Sequence, residues 1–168
     1  DKLCSSSPEP GGGSASALSG AIAASLCGML ASLTIGKKGY EAVQDEMKEA
    51  YEKSKKLKDE MLELLQRDTE AFEDASKALK MPRETEEQKA LRAKALEEGL
   101  KKATAVPLEI MEKALEIAKL AYSTSLKGNK MAISDGAVSA IFAEAAATGG
   151  MINVLTVSYT HLTLPTKA

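Results

Sequence analysis

Asp68 is the residue whose place in the sequence points most directly to chemistry. It falls inside a three-four apolar repeat that runs from Tyr40 to about Leu79 and predicts one long helix. A carboxylate on the packed face of a helix is costly unless a partner or ligand compensates its charge. Asp68 is therefore the first candidate for a functional side chain. The repeat consists of Tyr40, Val43, Met47, Ala50, Ser54, Leu57, Met61, Leu64, Asp68, Ala71 and Ala75.

A glycine-rich segment near the start of the chain is the second candidate. Gly11, Gly12 and Gly13 are followed by Ser14, the predicted N-cap of a helix. Bare backbone N–H groups at a helix start can bind an anion or a polar ligand. The segment is not a phosphate-binding loop, because no Gly-Lys-Ser/Thr follows at the required spacing. An ordinary turn into the helix explains it equally well.

A pair of cations marks the next turn. Lys37 and Lys38 lie between Gly36 and Gly39, directly before the long helix. Positive charge is favoured there by the negative end of the preceding helix. Helix capping alone is the simpler interpretation of this turn, and contact with an anionic ligand is the alternative.

Two later positions combine a polar side chain with a break in a helix. Thr104 precedes Pro107, which should kink the helix or start a new one, and the Thr104 hydroxyl could serve freed carbonyls or a ligand. Ser134 or Asp135 is predicted to cap a last helix, which Gly149-Gly150 would end. Capping competes with a ligand role at this position as well.

The elements that must position these residues are predicted to be helices. Hydrophobic residues make up 44% of the 168 residues and aromatic residues 4%, a balance that favours packed helices. The long helix would span on the order of 60 Å, so shorter helices or a second chain must cover it. Residues 14–35 carry no charge and many small side chains, which we interpret as a buried central helix rather than a membrane span or signal sequence. The predicted fold is all-α, a bundle of long antiparallel helices around this buried small-residue helix.

Charge and cysteine content exclude several classes of function. The 22 basic and 24 acidic residues are interleaved, so no basic field for nucleic acid exists and none is predicted as a partner. Cys4 and Cys27 are isolated thiols, which fits a reducing cytoplasm. His161 is the only histidine, which argues against a histidine-based site, and no metal is predicted.

Five motifs follow one another along the chain. They are Pro10-Gly11-Gly12-Gly13-Ser14, Leu33-Thr34-Ile35-Gly36-Lys37-Lys38, Asp68-Thr69-Glu70-Ala71-Phe72, Lys102-Ala103-Thr104-Ala105-Val106-Pro107, and Gly128-Asn129-Lys130 with Ser134-Asp135. In this order they resemble the cyclodeaminase/cyclohydrolase family of folate enzymes. That family contains the cyclodeaminase half of formiminotransferase-cyclodeaminase and the single-domain methenyltetrahydrofolate cyclohydrolases. The resemblance covers roughly residues 1–155.

The resemblance implies an all-α enzyme that dimerises through its helices and binds a tetrahydrofolate derivative as substrate, with no tightly bound cofactor. In the cyclodeaminase, N10 attacks the formimino carbon and ammonia leaves. In the cyclohydrolase, water attacks the methenyl bridge. Both reactions pass through a tetrahedral centre and need a proton relay. We expect the cyclodeaminase reaction first and the cyclohydrolase reaction as the alternative. A non-catalytic helical folate-binding or interaction module is the third hypothesis, for which the apolar seam would be sufficient.

The resemblance also implies roles for individual residues, which we expect to converge on one cleft. Asp68 and Asp135 are the implied catalytic residues, Asp68 as acid/base and Asp135 in a supporting or pterin-binding part. Lys37 and Lys38 would meet the anionic glutamate tail of a folate. The implied substrate-binding residues are Gly11, Gly12, Gly13, Ser14, Lys37, Lys38, Thr104, Pro107, Asn129 and Ser134.

The chain departs from the family pattern in two places. Met131 stands where the family motif Gly-Asn-x-Asn has its second asparagine. Beyond about Val154 a Thr-rich, β-branched segment replaces a further helix. We therefore expect a helical domain over residues 1–155 and interpret residues 156–168 as a non-family and non-native tail.

Overall fold

The computed structural model describes residues 2–7 and 9–157. It has four α-helices: α1 (Gly12–Ser32), α2 (Gln44–Leu79), α3 (Glu86–Lys127) and α4 (Ile133–Val157). None of the described residues forms a β-strand, and the predicted all-α fold is confirmed. The tail predicted over residues 156–168 lies outside the described residues from position 158 onward, and so does His161.

The small-residue helix α1 is the centre of the bundle, as predicted. It packs against α2, α3 and α4 because short side chains let all three approach closely. Ala17, Ala23 and Ala24 are fully buried, and so is Cys27. Burial raises the pKa of the Cys27 thiol, although a hydrogen bond with the Ser139 hydroxyl opposes the shift.

Helix α2 confirms the long amphipathic helix predicted from the three-four repeat. It begins at Gln44 rather than Tyr40, because Glu41–Val43 forms a 3-10 turn in front of it. Its predicted seam is the buried face, and Asp68 interrupts this face as a half-buried carboxylate. The buried residues of α2 are Met47, Ala50, Ser54, Leu57, Met61, Leu64, Ala71, Ala75 and Ala78.

Helix α3 is continuous over 42 residues, with Pro107 inside it. The spacing of Thr85 and Gln88 predicts a capping box at the start of α3, and the structure confirms it. The Thr85 side chain accepts from the Gln88 N–H, and Gln88 reaches back to the Thr85 N–H. Pro107 does not start a new helix. The Thr104 hydroxyl donates to the Leu100 carbonyl at 2.8 Å and so serves the backbone of α3 itself.

Helix α4 begins earlier than predicted. It starts at Ile133, so Ser134 and Asp135 lie in its first turn rather than at a cap. The capping side chain of this connection is Asn129, whose Oδ1 accepts from the Met131 N–H at 3.1 Å in the preceding 3-10 turn.

The other end of α4 also corrects the sequence prediction. Gly149 and Gly150 do not end the helix, which continues to Val157. Gly149 is instead a close-packing position, because a Cβ there would lie 2.1 Å from the Ser16 Oγ of α1. Because α4 continues to Val157, it includes Asn153 and Val157, which lie beyond the core.

The four helices differ greatly in length. Helices α2 and α3 have 36 and 42 residues and span roughly 54 and 63 Å, whereas α1 and α4 have 21 and 25 residues. The α2–α3 hairpin therefore extends past the N-terminus of α1. An ion pair joins Lys102 to Asp74 at 2.9 Å in this extension, where the backbones of α2 and α3 meet at Ala75 and Gly99.

Within residues 2–7 and 9–157, two helical segments are long and apolar enough, by length and composition alone, to cross a membrane: Gly12–Ser32 and Lys130–Val157. The apolar window of the first is 61% buried inside the bundle, as expected of a core helix. The window of the second is 17% buried. Helix α4 therefore has an apolar surface that the other described residues leave largely uncovered.

Gly99→Ala tests the close approach of α2 and α3. A Cβ at Gly99 would lie 3.0 Å from the Cα and 3.1 Å from the N of Ala75, so the two backbones must separate. We expect the free energy of unfolding to fall by about 1–3 kcal/mol, even though alanine favours a helix over glycine by about 1 kcal/mol.

Urea unfolding followed by far-UV circular dichroism measures this change. The control is Glu98→Ala, an exposed neighbour on the same turn, which should stay within about 0.5 kcal/mol of the parent. A Gly99→Ala variant as stable as the parent would contradict the described contact.

Candidate active site

A cleft of about 220 Å³ lies where the N-terminus of α1 meets α2, α3 and the last turns of α4. It brings the glycine-rich segment together with Asp68, although the two are distant in sequence. Its lining residues are Glu9, Gly11, Gly12, Gly13, Asp68, Thr69, Phe72, Ala103, Pro107, Asn153 and Val157.

Asp68 reaches this cleft by packing directly on the first turn of α1. The Ser14 hydroxyl donates to Asp68 Oδ2 at 2.8 Å. A Cβ at Gly13 would lie 2.1 Å from Asp68 Oδ1, so only glycine leaves room for the carboxylate. The negative charge also lies beside a helix N-terminus, whose free N–H groups and dipole favour it. The carboxylate is thus held from α1 while remaining part of the cleft wall.

The same contact explains why the predicted cap of α1 is wrong. Helix α1 begins at Gly12 with Gly11 in the N-cap position, and no side chain of the described part of the chain caps it. Ser14 is buried inside the first turn, with its hydroxyl used by Asp68. The first N–H groups of α1 therefore remain available at the cleft.

The opposite wall of the cleft is largely apolar. Phe72, Ala103 and Pro107 line it from α2 and α3. A flat ring could pack on this wall while its polar edges meet backbone N–H groups and the carboxylate. The half-buried Asp68 could then accept a proton from a bound water or return it to a leaving group.

The predicted residues Gly11, Gly12, Gly13, Asp68 and Pro107 line the cleft, and Ser14 supports it through Asp68. Thr104 lies one turn from Pro107, but it is not part of the lining and its hydroxyl is bonded within α3.

The other predicted residues lie at the far end of the bundle. Lys37 and Lys38 follow the C-terminus of α1, and Asn129, Ser134 and Asp135 surround the start of α4. Helix α1 separates the two groups by roughly 32 Å along its axis. Within one chain the structure therefore does not bring these residues to the Asp68 cleft, because the two groups lie at opposite ends of α1. Their binding and catalytic roles stay predictions.

A structural role accounts for part of this second group. The Asn129 N–H donates to the Thr34 hydroxyl at 2.8 Å, and Asn129 Nδ2 donates to the Leu33 carbonyl at 3.2 Å. The Lys130 N–H donates to the Tyr40 hydroxyl at 3.0 Å. These bonds tie the end of α1 to the turn between α3 and α4.

Sequence patterns did not identify several residues of the cleft as site residues. Thr69 and Phe72 follow Asp68 in its own motif, so their spacing of one and four residues could have indicated them. Asn153 was missed because Gly149-Gly150 was interpreted as a helix end. If the three-four spacing of small residues in α4 is continued past Gly150, the next position is Asn153. This continuation would have placed the Asn153 amide on the buried face of the helix. The remaining missed residues are Glu9, Ala103 and Val157.

Comparison with known proteins agrees with the resemblance seen in the motifs. The sequence profile of the formiminotransferase-cyclodeaminase family matches residues 1–156. The chain is 42% identical over 154 residues to the methenyltetrahydrofolate cyclohydrolase of Methylorubrum extorquens, covering 92% of this chain and 74% of that protein. It is 34% identical over 151 residues to the formimidoyltransferase-cyclodeaminase of Sus scrofa.

The Sus scrofa protein is much longer, and the match covers 90% of this chain but 28% of that protein. Among solved structures, the crystal structure of formiminotetrahydrofolate cyclodeaminase from Thermotoga maritima matches with a TM-score of 0.83 and 31% identity. That match covers 95% of this chain and 75% of the other. Since the family profile extends over nearly the whole chain and the fold agrees, the chain belongs to the formiminotransferase-cyclodeaminase family.

Proposed function

We propose that this chain is a folate one-carbon enzyme that acts on the bridge between N5 and N10 of tetrahydrofolate. The observation that carries the proposal is the half-buried Asp68 carboxylate, held by Ser14 against the bare first turn of α1. The 42% identity to a methenyltetrahydrofolate cyclohydrolase favours hydrolysis of 5,10-methenyltetrahydrofolate to 10-formyltetrahydrofolate as the first candidate.

The second candidate is the cyclodeaminase reaction that the motifs led us to expect, supported by the TM-score of 0.83 to a formiminotetrahydrofolate cyclodeaminase. It converts 5-formiminotetrahydrofolate to 5,10-methenyltetrahydrofolate and ammonia. Histidine degradation is the pathway we propose for this second reaction.

In the hydrolysis, Asp68 acts as general base and then as general acid. Water adds to the methenyl carbon, and its first proton passes to Asp68 as the C–O bond forms. The N5–C bond of the tetrahedral centre then breaks, and Asp68 returns the proton to N5. The second proton of the water leaves to solvent as the formyl carbonyl forms on N10. The carboxylate also offsets the positive charge of the methenyl bridge before water attacks.

The deamination would use the same carboxylate in a related order. N10 attacks the formimino carbon, and Asp68 takes the proton that N10 loses. The former imine nitrogen takes up that proton and one more from solvent, and the tetrahedral centre then expels it as ammonia. A single proton relay beside the bridge carbon therefore serves both reactions.

The size of the cleft indicates which part of the substrate it would enclose. Its volume of about 220 Å³ is below the range of roughly 300–1,000 Å³ that buries a drug-sized ligand. We infer that the fused ring and its bridge are enclosed and that the aminobenzoyl-glutamate part extends outward. The folate is the substrate itself, and we propose that no separate cofactor is held tightly. Two free thiols, Cys4 and Cys27, favour a reducing location such as the cytoplasm.

The direct test of the reaction follows the near-ultraviolet absorbance of the methenyl bridge. With 5,10-methenyltetrahydrofolate, we expect the absorbance to fall faster than in the same buffer with heat-denatured protein. With 5-formiminotetrahydrofolate, a rise in absorbance would identify the cyclodeaminase instead. No change in either mixture would contradict both candidates and favour a non-catalytic binding protein.

Asp68→Asn tests the proton relay. The amide keeps the size of the side chain but cannot take a proton, so we expect kcat to fall by about 10²- to 10⁴-fold. The matched control is Asp59→Asn, an exposed carboxylate on the same helix outside the cleft, which should keep kcat within about twofold. Circular dichroism verifies that both variants fold. Full turnover in a folded Asp68→Asn protein would remove Asp68 from the mechanism.

We also propose that the protein is a homodimer through its outer α1–α4 face. Because α1 packs against α4, two exposed apolar rows lie on adjacent helices. Exposed apolar side chains that cluster on adjacent helices are typical of a protein–protein interface. A second copy is the natural occupant, since the face carries few charges and would match itself across a two-fold axis. The face consists of Leu18, Ile22 and Met29 of α1, Leu33 directly after it, and Val138, Ile141, Ile152 and Leu155 of α4, each 39–64% exposed.

Ile141→Glu tests this interface, because Ile141 is 64% exposed within the outer face. We expect the parent to sediment as a dimer and the variant as a monomer at the same micromolar concentration in analytical ultracentrifugation. Leu91→Glu is the control, since Leu91 is 62% exposed but lies in the α2–α3 extension. A monomeric parent, or dimers in both variants, would contradict the proposed interface.

A further inference from the structure

The buried face of α4 consists only of small residues: Gly136, Ser139, Ala143, Ala146 and Gly150. Asn153 is the next residue in this row, at the position where α4 passes from the core to the cleft. The other polar member of the row is fully satisfied, because the Ser139 hydroxyl donates to the Ala23 carbonyl at 2.7 Å. The Asn153 side chain is half-buried and lines the cleft instead.

The orientation of the Asn153 amide follows from one hydrogen bond. Its Nδ2 donates to the Gly149 carbonyl at 2.8 Å, and a carbonyl can only accept, so the amide nitrogen must face it. Oδ1 therefore points away from the α4 backbone. No residue of the described ranges donates a hydrogen bond to Oδ1. The hydrogen bond to the Gly149 carbonyl therefore fixes the direction of Oδ1, which is an available acceptor.

A donor lies beside this acceptor. A Cβ at Gly12 would be 3.4 Å from Asn153 Nδ2 and 3.7 Å from Oδ1, so the amide lies against the first turn of α1. The N–H groups of Gly12 and Gly13 have no intrahelical acceptor. Asn153 and α1 together offer one acceptor and one donor, side by side in the cleft wall.

This pair complements one particular edge of a pterin. The lactam edge carries N3–H, a donor, next to O4, an acceptor. We propose that Asn153 is a substrate-positioning residue whose Oδ1 accepts from N3–H while the α1 N-terminus donates to O4. The inference rests on the proposed folate function and specifies how the ring is oriented.

The placement also agrees with the position of Asp68. Asn153 meets α1 at Gly12 and Asp68 meets it at Gly13, consecutive residues with Cα atoms about 3.8 Å apart. One bicyclic ring can therefore contact both side chains. The bridge carbon is bonded to N5, which lies next to O4 on the same side of the ring. Binding at the lactam edge would therefore hold the bridge carbon beside the first turn of α1, within reach of the carboxylate.

A ligand pair that reverses the hydrogen-bonding pattern tests the proposal. Tetrahydrofolate has N3–H and O4, whereas 4-amino-4-deoxytetrahydrofolate presents an unprotonated N3 and a 4-amino donor. We expect the parent protein to bind tetrahydrofolate at least 10-fold more tightly than the 4-amino analogue, as measured by isothermal titration calorimetry.

Asn153→Ser is the informative variant. Serine can still donate to the carbonyl four residues earlier, as the Ser16 hydroxyl does to the Gly12 carbonyl at 2.7 Å, but it is too short to reach the ligand. We expect the preference for tetrahydrofolate to fall by roughly 5- to 10-fold. In turnover, KM should rise by a similar factor while kcat stays within about twofold. The lost hydrogen bond would stabilise the bound substrate and the transition state equally.

Thr148→Ser, an exposed position on α4, is the control and should keep the preference of the parent. If the Asn153→Ser protein does not fold, Asn153→Gln moves the amide by one methylene and should give the same loss. An unchanged preference and KM in a folded variant overturn the role of Asn153 while the folate activity of the parent stands. A parent that neither binds nor converts any folate overturns both this inference and the proposed function.

Discussion

The contact between Asp68 and the first turn of α1 is the interaction on which the site depends. A carboxylate in the middle of α2 gains nothing from the dipole of its own helix, since that effect is confined to the terminal turns. It is compensated by another helix, through the Ser14 hydroxyl and the N-terminus of α1. Glycine at position 13 makes this possible, because any larger residue would occupy the place of the carboxylate. The glycine-rich segment and Asp68 therefore form one structural unit.

The cleft itself follows from the unequal lengths of the four helices. Within the core, α1 is covered on several sides and its small residues leave little free space. At the N-terminus of α1 this packing stops, while α2 and α3 continue side by side. Phe72 of α2 and Ala103 of α3 thus lose their partner on α1 and line a cavity instead. Helix α4 closes one side because it continues through Gly149 to the end of the cleft.

Periodicity and capping chemistry were sufficient to predict much of the fold. The seam of α2, the capping box at Thr85 and the buried α1 each follow from local rules that tertiary structure left intact. Glycine was ambiguous, because it can end a helix or allow close packing, and sequence alone does not distinguish the two. Gly149-Gly150 was therefore interpreted as a helix end, and Asn153 was lost with it. The order of the motifs, in turn, does not show at which helix end each motif lies.

Asp68 and Asp135 illustrate what tertiary contacts add to a sequence pattern. Asp135 lies in the first turn of α4, where the dipole of its own helix favours a negative charge without any ligand. Asp68 lies mid-helix on a packed face, and its surroundings supply one hydroxyl donor and a row of unpaired backbone N–H groups at the edge of a cavity. Ordinary helix chemistry explains the first carboxylate completely. It does not explain the second, because a carboxylate in the middle of a helix gains nothing from the dipole of its own helix. The position of this carboxylate at the edge of an open cleft, held by a second helix, is therefore the feature on which the proposed proton transfer rests.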